Sequence, residues 1–498
     1  MVAAEERMGG YGDIQGVKKQ AAGFFRCSSG RSREAIILFP PQLTPAPSLK
    51  YYSPMERHYP AKVREMVQSC YGCANCESYC PFFPKVFGLL DEEQYGKDGL
   101  IEAQYEALLD LCYDCKLCKT ACPFKYDLPG LVQEAKAEVM RTTASPSWIK
   151  TIFRRVDRME SLLHWFAPVV NLLAGIRPFR GFLERAAGIH RKRLLPRFYF
   201  LTFRMRAFLW PILGPALGED RGPAGTAETC WKKGPRRVVY FHGCYTDHHR
   251  PEEGMAALKV LRSCGIDVVL PKQRCCGLPQ VSEGFPDEGR ENMAYNLNVW
   301  RKYLEEGYDI VVTSSPCALT LKQEYSHWMG AEAEILKDRV FEVTEYLVQL
   351  FRAGEIKPPQ NPIPKRVAYH VPCHLKAQKI GMPSLDLLRM IPALKVEVVD
   401  RGCCGLAGCM GYTTETFDLS MEIGTPMMEG IREVLPDQAV SDCPKCNLQI
   451  TQGTGIEAVH PIELLARGYD EFRCETVEFK KPVDQRFLGK DRVSASPT

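Results

Sequence analysis

Short β-branched runs alternate with helical patterns through the second half of the chain. Val238 to Phe241, Val268 to Leu270 and Ile310 to Val312 read as strands, and Val367 to Tyr369 and Val396 to Val399 repeat the theme. Pro251 and Pro383 stand where first helical turns would begin. Strands that alternate with helices predict an α/β sandwich with a mainly parallel sheet in each repeat. In such sheets ligands collect beyond the strand C-termini. Cys244, Cys317, Cys373 and Cys443 each follow a strand and can converge there. Upstream the period changes to that of helices. Val63, Met66, Val67 and Cys70 share a face, as do Ile101, Tyr105, Leu108 and Leu109, and then Leu131, Val132, Ala135 and Val139.

These patterns divide the chain. Residues 1–54, rich in Gly, Pro, Ser and charge, are expected to be a disordered extension. Residues 55–146 form a cysteine-bearing helical domain, and 147–216 a basic amphipathic segment. A linker, 217–235, precedes the first repeat at 236–353. A Pro-rich joint, 354–364, leads to the second repeat at 365–475, and 476–498 is a tail. Matching cysteines of the two repeats are offset by 129 (Cys244 to Cys373), 128 (Cys275 to Cys403) and 126 residues (Cys317 to Cys443). The fold class expected is α+β multidomain: a helical domain followed by two repeated α/β domains with mainly parallel sheets.

Composition changes this picture at one point. An apolar share of 45% and a net charge of +4 over 498 residues are ordinary for a globular chain. The 22 cysteines are not. The chain is far longer than secreted disulfide scaffolds, and its first residues carry no signal-peptide pattern. A reducing, cytoplasmic compartment is therefore expected, where clustered thiols bind metal or carry redox chemistry. No apolar stretch is long enough to predict a spanning helix.

The cysteines fall into two arrangements. Cys70-x2-Cys73-x2-Cys76-x3-Cys80-Pro81 recurs as Cys112-x2-Cys115-x2-Cys118-x3-Cys122-Pro123. Three thiolates on a tight turn wrap one corner of a cubane [4Fe–4S] cluster, and the fourth comes from elsewhere. In two-cluster ferredoxins the fourth cysteine of each run ligates the other cluster. The expected sets are Cys70, Cys73, Cys76 and Cys122 for one [4Fe–4S] cluster, and Cys112, Cys115, Cys118 and Cys80 for the other. Zinc is the alternative, although zinc usually takes two C-x2-C pairs rather than a run closed by proline. The second arrangement is Cys-Cys-Gly, once at Cys275, Cys276 and Gly277 and again at Cys403, Cys404 and Gly405. Adjacent thiolates can hold two metals of one cluster, and each glycine would let the backbone approach an inorganic core. A pair of packed cysteines on a tight turn is the alternative.

Two ferredoxin runs followed by two CCG units resemble the family of anaerobic glycerol-3-phosphate dehydrogenase C subunits. The resemblance rests on FHGC ending at Cys244, TSSPC at Cys317, YHVPCH at 369–374, DCPKC at 442–446 and HPIELLA at 460–466. GIHRKRLLPRFYFLTFR at 188–204 resembles that family's central segment. The wider group includes the CCG subunits of heterodisulfide reductase and iron–sulfur subunits of glycolate and lactate oxidases. There a complete unit holds a noncubane cluster on five cysteines. By this resemblance Cys373, Cys403, Cys404, Cys443 and Cys446 form such a set. Unit one offers Cys244, Cys275, Cys276 and Cys317, with Thr320 standing where the last cysteine is expected, so a cluster there is an open expectation. The resemblance implies an electron-transfer subunit, with no catalytic residues of its own, that takes electrons from a flavoprotein partner oxidising glycerol 3-phosphate towards membrane quinone. The other readings are a thiol–disulfide oxidoreductase of the heterodisulfide type and an iron–sulfur subunit of a glycolate- or lactate-type oxidase. No G-x-G-x-x-G fingerprint opening a βαβ unit places a flavin site in this chain.

Segment 147–216 holds 13 Lys and Arg against 3 Asp and Glu, a surplus of ten positive charges. Interleaved Trp148, Trp165, Phe166, Phe179, Phe198, Phe200, Phe203, Phe208 and Trp210 fit an interface with anionic lipid. They equally fit packing between the domains or against a partner. Docking on the inner face of the cell membrane is expected, and nucleic acid is not, since no recognition motif accompanies the charge. His242, His370 and His374 read as hydrogen-bonded structure. Asp247, His248 and His249 read as a polar turn, and Cys409 as a thiol to watch beside Cys404.

Overall fold

Tyr240 and Tyr369 occupy equivalent places in two central strands, and each repeat is assembled around one of them. The computed structural model describes Cys73, Cys80 and residues 109–142, 146–213 and 236–469. The expected disorder of 1–54, the helical face ending at Cys70, the residues Cys70 and Cys76, the linker 217–235 and the tail lie outside the described residues.

The first repeat contains β1 (Arg237–Phe241), β2 (Asp267–Val269), β3 (Asp309–Val312) and β4 (Val340–Glu342). The second contains β5 (Arg366–His370), β6 (Lys395–Val399), β7 (Gln438–Val440) and β8 (Ala458–Val459). The sheet orders are β2-β1-β3-β4 and β6-β5-β7-β8, and every described pairing is parallel. Parallel pairing requires crossovers, which the intervening helices supply. Val238 to Phe241 are fully buried because helices cover both faces of their sheet. Prolines open the helices Pro251–Ser263 and Pro383–Leu388, as expected.

The repeats are not independent beads. One hydrophobic core runs through both, joining Val238, Tyr240 and Leu347 of the first to Val367, Leu388 and Leu465 of the second. Helix Pro251–Ser263 packs on Pro461–Gly468, and Val343–Arg352 packs on Pro383–Leu388. A polar seam accompanies this core. The Asp442 carbonyl accepts from the Ser315 amide at 3.2 Å and its hydroxyl at 3.0 Å. The Asp442 carboxylate accepts from Tyr369 at 2.6 Å and from Ser384. The Pro-rich joint is packed too: Ile356 and Ile363 are buried, and the Gly468 carbonyl accepts from the amides of Gln360 and Asn361.

The helix Leu128–Thr142 forms where apolar spacing predicts one, but its buried side also takes in Gln133 and Lys136. Each has a partner: Gln133 donates to Asp114 at 2.7 Å and Lys136 to the Ser282 carbonyl at 3.1 Å. The basic segment is helical at Trp148–Arg154, Val156–Leu163, Ala167–Gly175, Arg177–Ala187 and Phe203–Leu213. Its extended part, 188–202, and the start of its last helix tie it to both repeats. Arg193, 2% exposed, donates to Gln449, Gln452 and Ser420 of the second and stacks on Phe417. Arg204 donates to Asp247 of the first at 2.7 Å.

Candidate metal centre

The second cysteine run curls because two of its residues adopt left-handed backbone, Asp114 (φ 52°) and Lys116 (φ 60°). Lys116 is 1% exposed and pairs with Asp114 at 2.7 Å and Glu324 at 3.0 Å. A buried cation held by two acids locks the run against the first repeat, and losing one partner would strand a buried charge. Thr120 donates to the Ala377 carbonyl at 3.4 Å, which seats the same run on the second repeat. Burial raises the Cys115 thiol well above its usual value, and Cys403 and Cys80 add to this. Cys115 therefore lies near both Cys80 of the first run and Cys403 of the second repeat. Cys122 accepts from the Tyr126 amide at 3.4 Å, and Cys73 is exposed. Cys112 and Cys118 are half-buried in the same run.

In the second repeat five thiols gather at the C-terminal ends of β5 and β7. Cys373 opens the helix after β5, Cys443 caps the helix after β7, and Cys446 lies in its first turn. Cys403 and Cys404 come from the loop after β6. Hydrogen bonds from Cys373 and Cys404 lower the Cys403 thiol well below its usual value, and the Gly405 amide donates to its sulfur at 3.3 Å. All five line a cavity of about 620 Å³, and Cys112 and Tyr113 of the second run line it too. In the first repeat Cys244 and Cys275 have sulfurs 3.8 Å apart, with Cys276 in hydrogen-bond contact with Cys275 and Cys317. None of these four lines that cavity.

The structure corrects two expectations, and it gives the CCG glycines a packing role. Gly405 (φ +81°) is needed because a Cβ there would lie 2.2 Å from the Ser420 carbonyl oxygen, and one at Gly277 (φ +92°) 3.0 Å from that of Gly289. Each glycine lets a helix pack against its turn. Asp247, His248 and His249 are not a polar turn: Asp247 and His248 end the helix Gly243–His248, all three are buried, and His249 pairs with Glu160 of the basic segment at 3.0 Å. Burial holds His248, His370 and His374 down at about 4. Thr320 does not occupy the place of a missing cysteine. Tyr240 pairs with Val311, and Tyr369 with Val440, a shared offset of 129 residues (240 to 369, 311 to 440). On that offset Cys317 corresponds to Cys446, and Ser314 to Cys443.

One group escapes a sequence reading. Cys409 donates its thiol to Glu283 at 2.8 Å, and the other oxygen of that carboxylate accepts the Cys409 amide at 2.8 Å. Glu283 belongs to the first repeat, and both residues line the cavity with Lys136. Burial and then Glu283 raise the Cys409 thiol. Residues 126 positions apart carry no local signal of their meeting.

The fit to an iron–sulfur group rests on donor chemistry and space: thiolates are its ordinary ligands, and five face one cavity. Among the described residues, no three Cys, His, Asp or Glu side chains are gathered to grip a single ion. The fold and these thiol arrays define an iron–sulfur protein of the dehydrogenase and reductase complexes. A 4Fe-4S dicluster domain model matches residues 65–126, and a cysteine-rich domain model matches 238–322 and 367–451. The chain is 33% identical to the anaerobic glycerol-3-phosphate dehydrogenase C subunit of Escherichia coli (strain K12), over 80% of this chain and 98% of that one. It belongs to that family. The dihydromethanophenazine:CoB–CoM heterodisulfide reductase D subunit of Methanosarcina barkeri is 27% identical over 43% of this chain and 54% of its own length. Lactate utilization protein A of Geobacillus sp. is 26% identical over 46% of this chain and 98% of its own.

Proposed function

We propose that this chain carries electrons from a flavoprotein partner, one that oxidises glycerol 3-phosphate, to membrane quinone. The observation that carries this reading is the cavity shared by Cys112 and the five thiols of the second repeat. Bound iron–sulfur groups would supply one-electron carriers in series. The chain's own residues set their spacing. Cys80, Cys112, Cys115 and Cys118 would hold the group nearer the second repeat, and Cys70, Cys73, Cys76 and Cys122 the one farther along the first run. Cys373, Cys403, Cys404, Cys443 and Cys446 would hold the third. Lys116, clamped by Asp114 and Glu324, keeps the second run seated at the cavity.

The basic segment supplies the membrane contact. Among the described residues, twelve of the fifteen exposed large apolar side chains lie between 148 and 208, among them Trp148, Trp165, Leu172 and Phe208. No single described helix is long and apolar enough to cross a membrane. One bent pair, Val156–Gly175 with Arg177–Ala187, passes that test by length and composition. Surface docking on the inner face of the cell membrane fits this better than spanning, because the pair is sharply bent and Arg158 and Arg177 bound the apolar stretch 159–176.

The test is anaerobic copurification followed by addition of glycerol 3-phosphate. Bleaching of the iron–sulfur absorbance in the complex, absent in Cys112→Ser, supports the reading. A complex that stays oxidised with glycerol 3-phosphate but is bleached by lactate would move the donor to another flavoprotein. A second reading, reduction of a disulfide, draws on Cys409 and Glu283 beside the cavity. Turnover of a disulfide with reduced viologen, lost in Cys409→Ser, would favour it.

A further inference from the structure

The two repeats share a topology, a strand register and a pair of adjacent cysteines, yet only one faces the cavity. Four observations fix how their loops correspond. The central strands pair with the same offset of 129 residues. Tyr240 shares a hydrogen bond with Thr313 at 3.2 Å, and Tyr369 donates to Asp442 at 2.6 Å, so Thr313 and Asp442 are equivalent on the same offset. The next residue caps a helix in each repeat with the same extended backbone: Ser314 at φ −94°, ψ 113° and Cys443 at φ −115°, ψ 121°. Three residues later come Cys317, which touches Cys276, and Cys446, which touches Cys404. Among the thiols of the two repeats the correspondence fails at Ser314, whose hydroxyl stands where the second repeat has the sulfur of Cys443. Thr320, one helical turn on, donates its hydroxyl to the Pro316 carbonyl at 2.7 Å and touches the Cys276 thiol.

We propose that the two repeats are functionally unequal: the second holds a polynuclear iron–sulfur group, and the first holds none because Ser314 has replaced its fifth thiolate. This rests on the function proposed above and narrows it. A hydroxyl ionises far less readily than a thiol, so it is a poor substitute at a buried anionic ligand position. Space agrees with chemistry. The five thiols of the second repeat open on the cavity, whereas the four of the first do not reach it. Cys275 and Cys276 pack in a hydrophobic core with Val281, Met293 and Trp300, as Cys404, Cys443 and Cys446 do in the second repeat, so the opening onto the cavity is what sets the two apart. The first repeat is then a scaffold. It holds Lys116 through Glu324 and delivers Glu283 to the cavity.

The test measures iron and acid-labile sulfide per chain, with the reduced-state electron paramagnetic resonance spectrum, on anaerobically purified full-length variants. Cys404→Ser should lose about four irons, one [4Fe–4S] equivalent, and Cys276→Ser none. Ser314→Cys should gain iron and sulfide and a new signal, while Thr320→Cys matches the parent. Equal iron loss in Cys276→Ser and Cys404→Ser would overturn the proposal. So would a Ser314→Cys chain that melts like the parent without gaining iron, or a gain in Thr320→Cys. Iron lost in Ser314→Ala would also overturn it, by making the serine itself a ligand. If Ser314→Cys does not fold, the comparison of Cys276→Ser with Cys404→Ser decides alone. Iron near zero in the parent would sink the electron-transfer function as well, which separates that failure from this one.

Discussion

At Gly405 a hydrogen stands where any side chain would strike the Ser420 carbonyl. Left-handed backbone alone costs an L-residue roughly 1–2 kcal/mol, and the clash adds to that. Gly402 provides the control, since it has the same φ of +81° but nothing within 4 Å of its Cβ direction. Gly405→Ala should therefore destabilise by clearly more than the roughly 1–2 kcal/mol expected for Gly402→Ala. Chemical denaturation of the two variants side by side checks this, and equal effects would remove the packing role assigned to the CCG turn. Residue identity is the most legible level of this chain. The cysteine runs can be read because ligation around a cluster demands fixed spacing. Ser314 cannot, because matching by sulfur alone sets the first cysteine after β3 against the first after β7. The two loops share their backbone but not the position of their first sulfur. The strand register, which no spacing in the sequence prints, restores the correspondence.

The elements divide by length. β1, β3 and β5 are readable as β-branched runs, whereas β4, β7 and β8 have only two or three residues and carry no periodicity of their own. Their helices are better marked. Glu342 with Glu345 and His460 with Glu463 form capping boxes at equivalent places after β4 and β8. The joint core between the repeats is hidden, since apolar helical faces do not state which neighbour they meet. It has a measurable consequence. Leu347, fully buried on helix Val343–Arg352, packs in the core that spans both repeats. Leu347→Ala should cost about 2–5 kcal/mol and lower one cooperative transition for both repeats together. Two separated transitions in calorimetry would mean that the repeats fold as independent domains. Phe208→Ala, at a side chain 80% exposed, should change stability by about 0.5 kcal/mol or less.

At the scale of the molecule, positive charge and, among the described residues, apolar exposure concentrate in one segment, while thiols concentrate elsewhere. The surplus of ten positive charges in 147–216 leaves the rest of the chain at −6. Arg180 and Arg193 of that segment are spent on internal hydrogen bonds, so part of the segment clamps the repeats and part faces outward. Each outward cation near anionic lipid contributes about 1 kcal/mol. Flotation with vesicles of anionic phospholipid should capture the protein, and release should follow as salt rises or when Trp165 and Leu172 are both changed to Glu. Capture that is equal on neutral vesicles and insensitive to salt would contradict electrostatic docking.

The central claim is that the second cysteine run and the second repeat form one loaded electron route. Iron and acid-labile sulfide per chain, measured on anaerobically purified protein, test it most directly. Two cubanes and one further four-iron group give about twelve of each, counting four irons per [4Fe–4S] cluster, and that is the expected result. A value near eight would leave the second repeat empty and cut the route at the cavity. Zinc without sulfide would contradict the account outright.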